Sequence, residues 1–170
     1  MPTACTLMSA VIVCLLLGGA AIAASKRPAA LWNYYHFDGN GFVAGQAAGG
    51  KRVVAVRAGV RPVVAPPEAK IEAVRLPAGT GAVAGICYIQ SAGGKLAGGT
   101  GYLAAPAMRL PVSAGNNVVT TVQADEQGYF IAVLPAGRYL VGEGPLASEV
   151  RVENDQTTLM AVRVGKRMVD

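Results

Sequence analysis

Glycine and proline interrupt this chain so often that no long helix can be written through it beyond its first two dozen residues. Twenty-two glycines and ten prolines fall among 170 residues. Inside a helix these cost roughly 1 and 3 kcal/mol respectively relative to alanine. The stretches between them are short and rich in Val and Ala. In Lys51–Ala58, Arg52, Val54, Val56 and Ala58 interleave with Val53, Ala55 and Arg57, an extended rather than a helical rhythm. Apolar residues make up 52% of the chain and charged residues 15%, enough to bury a core. The expected class is all-β.

The N-terminus reads as an address. Thr6 to Ala24 is an apolar stretch followed at once by Ser25, Lys26 and Arg27. Its strongly apolar part, Leu7 to Leu17, is short against the roughly 20 residues a bilayer requires. Ala21-Ile22-Ala23 fits the small-x-small pattern of a cleavage site, so residues 1–23 are expected to be a signal peptide. The segment before it, MPTACT, carries no Lys or Arg, and an uncleaved membrane anchor is the competing reading. Either way the chain is expected to be exported, to a periplasmic, cell-surface or extracellular location. Cleavage would leave a single cysteine, Cys87, in an apolar strand-like run, where a free thiol behaves as a small buried hydrophobe.

The formal charge is +5, and all fifteen Lys and Arg lie at or beyond Lys26. They are scattered. Nucleic-acid surfaces gather basic residues into stripes with stacking aromatics, so no nucleic-acid partner is expected.

Three zones follow the address. Residues 24–81 are expected to form an extended arm with one or two short strands, broken by Pro62, Pro66, Pro67 and Pro77. Glu68 to Arg75 is consistent with one helical turn or a further strand. Residues 82–164 hold strand after strand at short spacing, the pattern of a sandwich. The strands are AVAGICYIQ, KLAGGTGYLAA, VVTTVQAD, YFIAVLP, RYLVGEG, Ser148–Glu153 and TTLMAVRV, with PAMRLPVSAGNN as a loop. VVTTVQAD and YFIAVLP are expected to form a hairpin around Asp125-Glu126-Gln127-Gly128, where Gly128 supplies a positive φ. Residues 165–170 form a tail.

These residues resemble the carboxypeptidase regulatory-like family. Gly85-Ile86-Cys87-Tyr88-Ile89 is similar to its glycine-led first strand, and Gly94-Lys95-Leu96-Ala97-Gly98 to the turn that follows. Thr120-Thr121, then Asp125 to Val141, matches its core, with Asp125, Gly128, Phe130, Leu134, Gly137 and Tyr139 at the structural positions. The resemblance covers about the last half of the chain and implies a seven-stranded, Greek-key-like, prealbumin-like sandwich. It says little about function, because such modules serve many unrelated exported proteins. The related hydroxyisourate hydrolases rely on several His and a C-terminal Tyr-Arg-Gly, whereas this chain has one His and ends GKRMVD.

Chemistry-bearing motifs fail one by one. Gly45-Gln46-Ala47-Ala48-Gly49-Gly50-Lys51-Arg52 approaches a P-loop, but Arg52 stands where Ser or Thr should hold magnesium, and a Val-rich strand follows instead of a helix. Asp38-Gly39-Asn40-Gly41 resembles the start of a calcium loop, yet the next acidic residue is Glu68, so a β-turn is the better account. Zinc needs several His or Cys, and the cleaved chain would offer His36 and Cys87 alone. No enzyme, cofactor or metal is expected.

Trp32, Tyr34, Tyr35, His36 and Phe37 remain as candidate partner-binding residues, because aromatic faces stack on sugars and dock into protein grooves. Two functions stay open. One is a non-catalytic binding or accessory module engaging glycan or protein. The other is a structural subunit of an extracellular fibre, with Lys51 to Ala65 pairing to an edge strand and self-association through such edges.

Overall fold

The computed structural model describes residues 31–46, 51–93 and 101–169. The signal segment lies outside them. The described chain is all-β and stacks its strands in three sheets.

The outer sheet holds β1 (Asn33–Phe37), β2 (Phe42–Ala44), β3 (Val53–Arg57) and β4 (Val60–Ala65), in the order β2-β1-β3-β4. The central sheet is built on β5 (Thr80–Gly93). β12 (Thr157–Val169) runs parallel to β5 along one side. On the other side β9 (Tyr129–Pro135) and β6 (Gly101–Ala104) follow one another, antiparallel to β5. The far sheet orders β11 (Ser148–Val152), β10 (Gly137–Val141), β7 (Arg109–Ala114) and β8 (Asn117–Gln123). The central and far sheets form a β-sandwich, and the outer sheet covers the sandwich's other face.

The sequence of β5 explains the middle position. A strand that faces solvent on one side alternates apolar and polar residues, whereas Ala82 to Ile89 is apolar throughout except for Gly85. Val83 and Cys87 enter the core shared with the far sheet, among Leu110, Val112, Phe130, Leu134, Tyr139 and Val162. Ala84, Ile86 and Tyr88 enter a second core with Phe37, Val54 and Tyr129. Gly85 sits between them with no room for a side chain: a Cβ there would strike the ring of Phe130 and lie 2.7 Å from the Met160 carbonyl.

Several expectations are corrected. Residues 24–81 carry four strands instead of one or two, and these pack face-on against the central sheet instead of adding to a sandwich edge. Apolar residues at alternate positions, Val54, Val56 and Val64, give that sheet its own buried face. Glu68 to Val74 forms no regular element, and Arg75 makes a single bridge to Val60. PAMRLPVSAGNN is no loop, because it contains β7, so eight strands lie between Thr80 and Val169 where seven are expected. Pro111 lies inside β7. It is tolerated because it sits just past the end of β10, where its carbonyl accepts Gly142 N–H at 2.9 Å and no ladder bond needs its missing donor. β8 and β9 are not a hairpin: β8 pairs with β7 and β9 with β5, so the Asp125–Gly128 turn carries the chain between sheets. The expected tail from residue 165 belongs to β12, which runs to Val169 alongside β5.

Gly85→Ala is therefore expected to cost roughly 3 kcal/mol through overpacking, and Phe130→Ala roughly 3–5 kcal/mol through the cavity it leaves. Gly41→Ala, where nothing lies within 4 Å of the added carbon, should be close to neutral. Urea unfolding of the three variants checks the ranking.

Candidate functional site

The aromatic cluster near the N-terminus does not form one surface. Strand alternation sends Tyr35 and Phe37 to the inner face of the outer sheet and Tyr34 and His36 to the face turned away from the sandwich. Trp32 precedes β1 and is half-buried. Phe37 is only 2% exposed and packs against Phe42, Tyr88 and Tyr102, the last two with ring centroids 4.8 Å away. It is a core residue and is not available to a partner. His36 Nδ1 lies 3.2 Å from the Gly45 carbonyl. The Asp38 turn is closed by its own carboxylate, which accepts N–H groups from Asn40 at 2.8 Å and Gly41 at 2.9 Å. The Gly41 and Asn40 donors hold that carboxyl below the usual range.

The sandwich residues singled out in the sequence sit at its joints. Phe130, Leu134 and Tyr139 are buried, and the Tyr139 hydroxyl donates to the Pro135 carbonyl at 3.0 Å, closing the turn between β9 and β10. Gly137 lies under the Tyr139 ring, 3.4 Å from where its Cβ would be. Gly128 has φ +82°, and a Cβ there would come 2.5 Å from the Cys87 carbonyl. Asp125 uses both oxygens. Oδ1 accepts N–H from Gln127 at 2.8 Å and Tyr129 at 2.9 Å, and Oδ2 lies 3.1 Å from the guanidinium of Arg52. The Tyr129 hydroxyl in turn donates to the Arg52 carbonyl at 3.4 Å. The turn between the two sandwich sheets is thereby fastened to the outer sheet.

Beside this fastening lies the site that sequence reasoning missed. A groove of about 490 Å³ opens where β4 and β9 come side by side. Pro62, Val63, Val64 and Val74 make one wall, Gln123 and Asp125 the opposite end, and β9 the floor. The floor is a free strand edge. Gly128 O accepts from Cys87 N–H and Ala136 N–H donates to Gly79 O, which places the even-numbered residues of this run toward β5. Tyr129 turns the other way and meets Asp125 with both its N–H and its C=O. The same alternation points the N–H and C=O of Ile131 and Val133 away from β5, and among the described residues no strand pairs with β9 there. Only the topology reveals this edge. Its sequence, YFIAVLP, reads like any inner strand.

Among the described residues no three of His, Cys, Asp and Glu gather into a metal site. Cys87 is buried, and desolvation pushes its thiol up to about 12. Burial, with smaller contributions from Tyr102 and Asp125, raises the Tyr129 phenol to about 12 as well. Compared with family models, curated proteins and solved structures, the chain matches none.

Both buried acids titrate higher in the folded than in the unfolded chain, where thiol and phenol ionise near 9 and 10. Above those values the unfolded state has released protons that the folded state still holds, so stability falls as pH rises from about 9 towards 12. Melting temperatures across that range should show the decline, and the double variant Cys87→Ala, Tyr129→Phe should flatten it. At pH 8, Cys87 should resist a thiol reagent until the protein is unfolded. At the turn, Asp125→Ala strands two backbone donors and should cost about 1–3 kcal/mol. Arg52→Ala, which loses a half-exposed pair, should cost under about 1 kcal/mol.

Proposed function

We propose that this chain is an exported, non-catalytic binding module that takes an extended segment of a partner protein as an added strand on β9. The observation that carries this reading is the unpaired backbone of Ile131 on the floor of an apolar groove, a free edge that continues along β9 to Val133. A strand laid there gains main-chain hydrogen bonds from β9, while its side chains reach the apolar wall of β4 and Val74. The window is short: Tyr129 is already satisfied by Asp125, and Pro135 has no N–H to offer.

The kinship with carboxypeptidase regulatory-like modules belongs to the same proposal. The support for it is the Asp125-to-Tyr139 run, which forms a turn, a strand, a tyrosine-closed corner and the next strand. Export rests on the apolar segment ending at Ala21-Ile22-Ala23. Intact-mass measurement of the native protein should find a chain beginning near Ala24; a full-length, membrane-extracted species would refute cleavage. The fibre alternative draws less support, because the strands of Lys51–Ala65 are paired with each other and with β1 inside the outer sheet.

Val133→Pro tests strand addition directly. The substitution removes an N–H that points away from β5 on the same free edge and leaves the β5 ladder intact, and proline is tolerated on such an edge. The variant should keep its melting temperature within a few degrees. Hydrogen exchange in the parent protein with the synthetic peptide acetyl-TVEVTV-amide should protect the Ile131 and Val133 amides. In the variant the peptide's affinity should fall by on the order of tenfold or more. Protection appearing at β8 or β12 instead would displace the site.

A further inference from the structure

Resting on the strand-addition reading, we infer that the β9 groove selects an extended segment that is apolar at alternate positions and carries an acidic side chain toward Arg61. Two charged residues line the groove, and they are not equivalent. Asp125 is spent: one oxygen holds the Gln127 and Tyr129 amides and the other holds Arg52. Arg61 is exposed at the rim, and among the described residues its side chain has no ion pair. Only its backbone is engaged, donating to the Val74 carbonyl at 2.8 Å. The groove therefore offers an incoming chain one uncompensated positive charge and no uncompensated negative one.

The apolar requirement comes from layering. A strand added to β9 extends the central sheet, whose members are covered from two sides. On one side stand Val64 and Val74, and on the other the edge of the far sheet at Gln123. A segment with charges at every position would leave some of them unpaired against Val63, Val64 and Val74, where burial of a charge is costly. An acidic residue at one position, in register with Arg61, is both tolerated and attracted. A lysine in its place meets a like charge across the rim.

The test compares acetyl-TVTETV-amide with acetyl-TVTKTV-amide on the full chain, so that the charged residue shares a face with the flanking valines, reading affinity and amide protection together. The acidic peptide should bind about tenfold more tightly at low salt, and the difference should shrink in 0.5 M salt, where the Debye length is about 4 Å. Arg61→Glu should invert the preference, while Arg61→Ala should abolish it and leave the melting temperature unchanged, since only the Arg61 backbone takes part in the fold. Equal affinities for both peptides, with Ile131 and Val133 protected by each, overturn the charge selection and leave strand addition standing. No protection of those amides by either peptide overturns strand addition itself, and this inference with it.

Discussion

Every layer of the molecule is referred to β5. Its side chains alternate between two cores, Val83 and Cys87 into one, Ala84, Ile86 and Tyr88 into the other. Three strands are hydrogen-bonded to it: β12, β9 and β6. A strand so placed can carry no charge. Each large buried aliphatic in it contributes roughly 1.5–3 kcal/mol, and where the Phe130 ring crosses it only glycine fits. The outer sheet follows from this constraint, because without it the apolar face bearing Ala84, Ile86 and Tyr88 would stand in water.

Asp125 joins what β5 leaves separate. The chain must pass from the far sheet to the central sheet between β8 and β9, and it does so through a turn whose amides are gathered on one carboxylate oxygen. The second oxygen reaches Arg52, immediately before β3, so the turn and the outer sheet share a partner. As a surface ion pair this contact adds little energy. Its effect is positional: it ties the turn to the residue that enters β3, whose sheet also carries the β4 wall of the groove.

Much of this was legible in the sequence, and for definite reasons. The short Val-rich runs between glycines and prolines gave the all-β class, and the Asp125-to-Tyr139 run marked the buried aromatics and the tight turns. Pairing partners were not legible. VVTTVQAD and YFIAVLP flank a turn with hairpin chemistry, and nothing local says that their hydrogen bonds go to different strands. Pro111 hid β7 because proline is tolerated at a ladder's end, and only β10 shows where that end lies. The aromatic cluster drew attention by composition alone; strand alternation then divided it, sending Phe37 into the core. The groove was invisible because it consists of an absence on one side of a strand.

That absence is selective. An edge strand left open invites indiscriminate pairing, and several of the other edges are guarded in different ways. β2 and β6 are three and four residues long. β11 carries Glu149 and Arg151, each in an ion pair. β4 is partly covered through Val74 and Leu76, which bond to Arg61 and Gly59. β8 is bent by a register shift opposite Val112 and Ser113. β9 has none of these devices; its free edge lies between β4 and the end of β8. Where its neighbours have charge, shortness or a bulge, this edge has beside it the apolar side chains of Val63, Val64 and Val74, and the backbone of Ile131 stays unpaired between them and β5 among the described residues.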